Sequence, residues 1–279
     1  MCNISERLIN IIGNVKILEE FMKLEDYMKL PYKCVIATFA IAISLSTILQ
    51  GCSFMNGATK TNESDTVRWF SASNAILAAV NQQDYTKFPE SEPTVKNKAI
   101  YAATLEQWWS VTDRQTADET LDWLLSGGHR SDFMEDTAYL KDIGLGEIPA
   151  EERTDWLLDN FDLTDEDALY YTQMYAYYEE HGEHAIDAWD YCRALNLLGF
   201  YYAAGYYAKE ESLDKALEIA RIMQPVFDSW DDMVDSYLMG YEYWTEESSD
   251  ERRKVYEDLK SRDDNPYTVD YGTTLEKTW

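Results

Sequence analysis

Cysteine, histidine, glycine and positive charge are all scarce in this chain. Its 279 residues include four Cys, three His and 12 Gly, and 24 Lys and Arg face 52 Asp and Glu, a formal net charge of −28 at pH 7. The shortage of basic residues excludes nucleic acid as a partner, because phosphate contacts need a basic footprint. It also disfavours close adsorption to anionic lipid headgroups. A surface of this sign fits partners that carry positive charge: metal cations, polyamines, basic peptides or the basic patch of another protein. The few glycines form neither a phosphate cradle nor a Gly-x-Ser-x-Gly elbow. His181 and His184 flank Gly182, which suggests a turn and not the His-Glu-x-x-His helix of zinc hydrolases. Asp162, Asp165 and Asp167 lack the mid-loop glycine and closing glutamate of a calcium loop. The sequence calls for no cofactor and no metal ligand set.

Position reduces the cysteines further. Lys29 and Lys33 precede an uncharged run from Val35 to Leu49, and Leu49-Gln50-Gly51-Cys52 closes that run. The run has the length of a signal-peptide core and falls short of the ~20 residues a membrane span needs. An apolar residue three places before the cysteine and a small one directly before it complete a lipobox. The expected product begins at Cys52, carries lipid on its thiol and sits at the extracytoplasmic face of the cell membrane. Residues 1–27 admit two readings. Translation begins at Met28, or a true extension places Ile4, Leu8, Ile11, Ile12 and Leu18 on one helical face. Cys2 and Cys34 are lost on processing and Cys52 is blocked, so Cys192 stands alone and no intrachain disulfide is available. Its simplest role is a small buried apolar residue.

The chain thus divides into residues 1–51, an extension and signal peptide; 52–65, a lipidated cysteine and flexible tether; and 66–279, a single domain. Residues 1–51 hold five acids and five bases, so the whole net charge falls on residues 52–279. A hydrophobic content of 46% and an aromatic content of 14% exclude disorder for most of the chain.

Periodicity in the domain is helical almost throughout. The spacing predicts helices around Trp69–Val80, Ile100–Trp109 and Leu121–Leu125, the last stopped by Gly127-Gly128. A short helix comes next, from about Asp132 to Ile143, and Pro149 with Glu151 and Glu152 opens another. Thr164 caps a Tyr-rich helix to Glu180. A long helix spans roughly His184–Tyr206, and one from Ser212 bends or ends at Pro225. Ser229 and Ser249 start the last two. No alternating run argues for a strand. The expected fold is all-α, a compact domain of about eight to ten helices with no significant sheet.

Several short words in the second half, in this order, resemble a bacterial family known as domain of unknown function 1266. They are Gly128-His129-Arg130, Ala188-Trp189-Asp190-x-x-Arg193, Gly205-Tyr206-Tyr207-x-x-Glu210-Glu211, Phe227-x-Ser229-Trp230, Asn265-Pro266-Tyr267 and the final Trp279. The departures are Tyr267 and Tyr271, where that pattern has tryptophan, and Tyr207, where it has isoleucine. The resemblance implies a mainly helical fold and no assigned reaction.

Asp190 and Arg193 stand three apart on one helix face and can pair. Trp189 is their neighbour. His129 and Arg130 come directly after two glycines, a suitable place for an exposed loop reaching over a cleft. These five residues, with Trp230 as a sixth, are the candidate binding set. Two roles fit them: a ligand site, or a partly buried ion pair that sets helix register. The leading reading is a membrane-tethered binding domain. Competing readings are a hydrolase of envelope material using His129 and Asp190, and an acidic immunity-like or structural protein.

Overall fold

The computed structural model describes residues 63–279; the extension, the signal segment, Cys52 and residues 53–62 of the tether lie outside the described residues. Among the described residues the chain is all-α and without strands, as its periodicity predicts. The helices are α1 (Asp65–Val80), α2 (Val95–Trp109), α3 (Arg114–Ser126), α4 (Gly128–Asp142), α5 (Arg153–Asn160), α6 (Asp165–His181), α7 (Asp187–Ala204), α8 (Lys209–Met223), α9 (Trp230–Thr245) and α10 (Asp250–Ser261). No helix among the described residues is long and apolar enough to cross a membrane.

Local chemistry sets most of the helix starts. The side chains of Ser64, Thr94, Asp113, Thr164 and Ser229 each accept from a backbone N–H of the next turn, satisfying donors the helix cannot pair internally. Ser249 behaves differently. It precedes α10 without capping it, and its hydroxyl donates to Glu242 Oε1 at 2.6 Å. Pro225 ends α8 at Met223 and opens a single 3₁₀ turn, Gln224–Val226. Several expected boundaries move, and the helix placed from Ser212 begins at Lys209. The helix placed from Asp132 begins at Gly128, and the long helix placed from His184 begins at Asp187 after a 3₁₀ turn, Gly182–His184.

Helix α7 is the axis of the domain. A helix that is apolar on all sides belongs inside, and α7 packs against α1, α2, α3, α4, α8 and α9. Every one of its residues is buried except Arg193. Cys192 lies within it, fully enclosed, and burial pushes its thiol pKa up, so it acts as an inert packing residue. The α7–α9 contact is set by Gly240. A Cβ there would stand 2.2 Å from Trp189 Cβ, so only glycine lets the two backbones approach so closely.

The chain after α10 has little regular structure and still covers the core. Val269, Tyr271 and Leu275 are buried, so the carbonyls along this segment need partners. Side chains of earlier helices supply them. Trp69 Nε1 donates to Tyr271 O (2.9 Å), Trp230 Nε1 to Val269 O (2.8 Å) and Arg221 Nη2 to Leu275 O (2.8 Å). The rings of Trp69, Trp230 and Tyr271 pack with centroids 4.9–5.7 Å apart. A smaller apolar cluster joins α4, α5 and α6 through Leu140, Leu157 and Tyr171.

Two buried acids make stability depend on pH. Asp136 on α4 accepts a 2.7 Å hydrogen bond from Tyr243 on α9, and its other oxygen has no partner. Burial pushes its pKa up to about 6, and burial pushes Glu90 up to about 7. Both acids therefore bind a proton more tightly folded than unfolded. Their contribution is complete below the unfolded carboxylate range and is lost as pH rises through about 4 to 7. Asp136→Asn removes one penalty and is expected to add about 1–2 kcal/mol at about pH 7.5 and little at about pH 4. Urea denaturation at a series of pH values measures this; an equal change at both ends would refute it.

Candidate functional site

The site begins where α3 gives way to α4. Helix α3 ends at Ser126 and α4 begins at Gly128, so one residue separates the carbonyl end of one helix from the N–H end of the next. Gly127 offers no side chain to cap α4. The cap comes instead from Asp190 on α7, whose Oδ2 accepts the Arg130 backbone N–H at 3.1 Å. A carboxylate at this position also meets the positive end of the helix dipole. Gly128 leaves room for it. Its φ is +54°, and a Cβ would lie 2.5 Å from Asp190 Oδ2.

The carbonyl end of α3 is closed by Arg130. Its Nη2 donates to Leu124 O (2.9 Å) and Leu125 O (3.1 Å), and its Nε donates to Gly127 O (3.2 Å). The guanidinium lies 4.4 Å over the Tyr191 ring, and Nε is 3.7 Å from carboxylate oxygens of Asp187 and Asp190. His129 is 3% exposed and Arg130 is 9% exposed. The exposed loop expected at these residues is therefore a buried helix start. The reason is that both helix ends carry unpaired backbone groups, and satisfying them draws these side chains and Asp190 inward.

His129 joins Asp190 to Arg193. Its Nδ1 lies 2.6 Å from Asp190 Oδ1, and its Nε2 lies 3.2 Å from Arg193 Nη1. Arg193 Nη1 is also 3.5 Å from Nδ1, so the guanidinium lies over the face of the imidazole while Asp190 pairs with Nδ1. Asp190 and Arg193 do share a face of α7, but the imidazole stands between them. Among the described residues no carboxylate oxygen lies within 4.0 Å of Arg193.

Arg193 leaves the core through a cage of indoles. Its Cζ is 4.4 Å from the Trp109 ring centroid, 4.7 Å from Trp189 and 5.2 Å from Trp244. Burial pushes its pKa down to about 10, which still leaves it charged at neutral pH. Cation–π contacts of this kind are worth about 0.5–2 kcal/mol each and help to replace lost hydration. Trp123 stacks edge-on to His129 at 5.0 Å. Beside the cage, Arg252 of α10 lies 4.1 Å over Tyr241 and donates through Nη1 to Tyr237 Oη at 2.7 Å. Trp123 and Trp244 are 44% and 39% exposed.

The structure thus gathers His129, Arg130, Trp189, Asp190 and Arg193, and it places Trp230 elsewhere. Trp230 is buried against Trp69, Tyr267 and Tyr271, under the chain's last segment. Trp109, Trp123, Trp244 and Arg252 complete the cage and its border, and sequence reasoning did not select them. Trp109 and Trp123 read as ordinary members of apolar helical faces, and nothing in the sequence singles out Arg252. Nothing in their local spacing marks them.

Chemically, the arrangement presents a cation and aromatic faces. A groove of about 430 Å³ lies next to Arg130 and is lined also by Ser131, Met134, His184, Asp187 and Tyr191. There His184 Nδ1 is 2.8 Å from Asp187 Oδ2. Among the described residues no group of three His, Cys, Asp or Glu is arranged to hold a metal.

Gly128→Ala is expected to cost about 2–3 kcal/mol, through backbone strain and the collision with Asp190. Asp190→Ala, which strips the cap and the imidazole's partner, should cost about 3–5 kcal/mol. Equilibrium unfolding in urea measures both. A loss below about 1 kcal/mol for either would show that Asp190 is not what holds α4 in place.

Searches of curated proteins and of solved structures find no match to the chain. Comparison with protein families gives one match, over residues 104–271. That stretch begins within α2 and contains every residue of the Asp190 network, the indole cage and Arg252. It spans more than half of the sequence and includes Gly128-His129-Arg130, Ala188-Trp189-Asp190 and Phe227–Trp230; Trp279 falls beyond it. The chain belongs to the DUF1266 family, whose description is "Protein of unknown function".

Proposed function

We propose that this chain is a lipid-anchored, non-enzymatic binding domain at the extracytoplasmic face of the cell membrane. One observation carries the binding reading: α7 is buried along its whole length except at Arg193, and Arg193 is stacked among indoles of which Trp244 is exposed. Exposed tryptophan beside arginine is the composition that dominates energetically at protein interfaces. Trp108, which is 72% exposed, and Trp123 and Trp244 leave more aromatic surface in water than solubility favours. The buried network beneath them holds Arg193 in one orientation before any partner arrives, which lowers the ordering cost of association.

The lipobox at Leu49–Cys52 supports the anchor. Two or more acyl chains hold a protein stably, whereas one holds it marginally. The acidic surface keeps the domain off anionic headgroups, so the tether sets its distance and the indole face stays open to a partner.

Two measurements test this. Cys52→Ser is expected to move the chain from the membrane pellet to the soluble fraction and to abolish incorporation of a radiolabelled fatty acid. A photoreactive residue replacing Trp123 or Trp244 in cells should give a discrete cross-linked adduct, and one replacing the exposed Leu169 of α6 should not. Equal labelling at all three positions, or at none, would overturn the assignment of this face.

A further inference from the structure

Two arginines on this face stand without a counter-ion. Among the described residues, Arg193, Arg221 and Arg252 are the arginines with no carboxylate oxygen within 4.0 Å; Arg130 has two at 3.7 Å, and the remaining arginines all pair at closer range. Arg221 is engaged by Leu275 O. Arg193 and Arg252 are not engaged in that way. Among the described residues each uses Nη1 alone, on the His129 imidazole and on Tyr237 Oη, and neither Nε nor Nη2 makes a hydrogen bond. In a chain with more than twice as many acids as bases, two adjacent cations that meet no acid are a departure that calls for a cause.

The rings beneath them are in contact. Arg193 stacks on Trp189 and Arg252 on Tyr241, and the centroids of those two rings are 6.0 Å apart. Trp189 is 2% exposed, and its Nε1 hydrogen has no acceptor. A buried donor left unpaired costs about 1–3 kcal/mol. The polar groups left unpaired here are therefore donors: two partly free guanidiniums at the surface and one orphaned indole N–H beneath them. Asp190 lies behind His129 and offsets part of the positive charge. The net charge of −28 acts against an anion at long range, but screening limits that field to about 8 Å in physiological salt. At contact, a guanidinium offers paired N–H groups that match the geometry of an oxyanion.

We propose that Arg193 and Arg252 form a binding site for an oxyanion, a carboxylate or phosphate group, carried on a flat ring that lies against the exposed Trp244. This deepens the binding reading above by naming what the partner or ligand presents, and it rests on that reading.

The test is titration of the full chain, monitored by tryptophan fluorescence at constant ionic strength. The probes are inorganic phosphate, acetate, benzoate and, as a cation, choline. Saturable quenching is expected with benzoate and with phosphate, weaker with acetate, and absent with choline. Arg252→Gln, on an outer helix, is expected to weaken the response about tenfold while lowering the melting temperature by only a few degrees, the loss of its bond to Tyr237, so that the variant is still folded at the titration temperature. Arg193→Lys keeps the charge, loses the fork, and should weaken it similarly. Phosphate alone would assign the phosphate source and benzoate alone the carboxylate source; both support the site. Quenching by choline, no saturable response to any oxyanion, or a response unchanged in Arg252→Gln would overturn it. Cross-linking at Trp123 that survives such a failure would leave the interaction surface standing and remove only the oxyanion.

Discussion

The buried carboxylate of Asp190 is the point on which this domain is organised. It accepts the Arg130 N–H in the first turn of α4 and lies against the His129 imidazole, although 60 and 61 residues separate it from those partners in the chain. Taking a carboxylate out of water is costly unless hydrogen bonds replace its hydration. Here a helix terminus and a histidine do so, and the requirement passes outward to their own neighbours. Gly128 must lack a Cβ, Arg130 must turn back on the end of α3, and α4 must start without a spacer. Helices α3, α4 and α7 are fixed to one another by this chain of necessities.

The same network prepares the surface. The imidazole that satisfies Asp190 lies against Arg193, and three indoles surround the guanidinium. Among the described residues Arg193 is thereby held by contacts that leave two of its nitrogens unengaged. In an acidic chain the usual fate of an arginine is a nearby carboxylate, as with Arg153 and Glu179 at 2.6 Å. Aromatic faces provide an alternative that stabilises the cation without neutralising it. That is the physical basis for reading this face as a recognition surface, and it explains how a positive spot persists on a strongly negative protein.

Stability has a different source. The absence of a disulfide among the described residues leaves packing to hold the domain. The large rings of Trp69, Trp230 and Tyr271 seal the core beneath an irregular final segment, whose carbonyls are bonded by side chains of α1, α8 and α9. Buried side chains of this size contribute about 2–3 kcal/mol each. Trp230 belongs to this sealing layer. Its indole N–H points at Val269 O and its ring faces other rings, so it has no share in the Arg193 cage.

Much of the architecture was legible in the residues themselves. Helical periodicity and the absence of alternating runs determined an all-α fold, because side-chain spacing within one turn is a local property. Thr164, Ser229 and Pro225 marked boundaries for the same reason, since capping hydroxyls and a missing N–H act on their own helix. The grouping of Trp189, Asp190 and Arg193 came from their spacing on α7. What the sequence could not decide was how charged and aromatic residues meet across helices. His129 and Arg130 looked exposed because glycines precede them, and Ser249 looked like a cap because acids come after it. In each case a partner from another helix changed the outcome: Asp190 for the first pair, Glu242 for the last. Trp109, Trp123 and Arg252 gave no local sign of sharing a site. Periodicity names the face a residue occupies on its own helix; only the packed structure decides what that face meets, because that depends on contacts tens of residues apart.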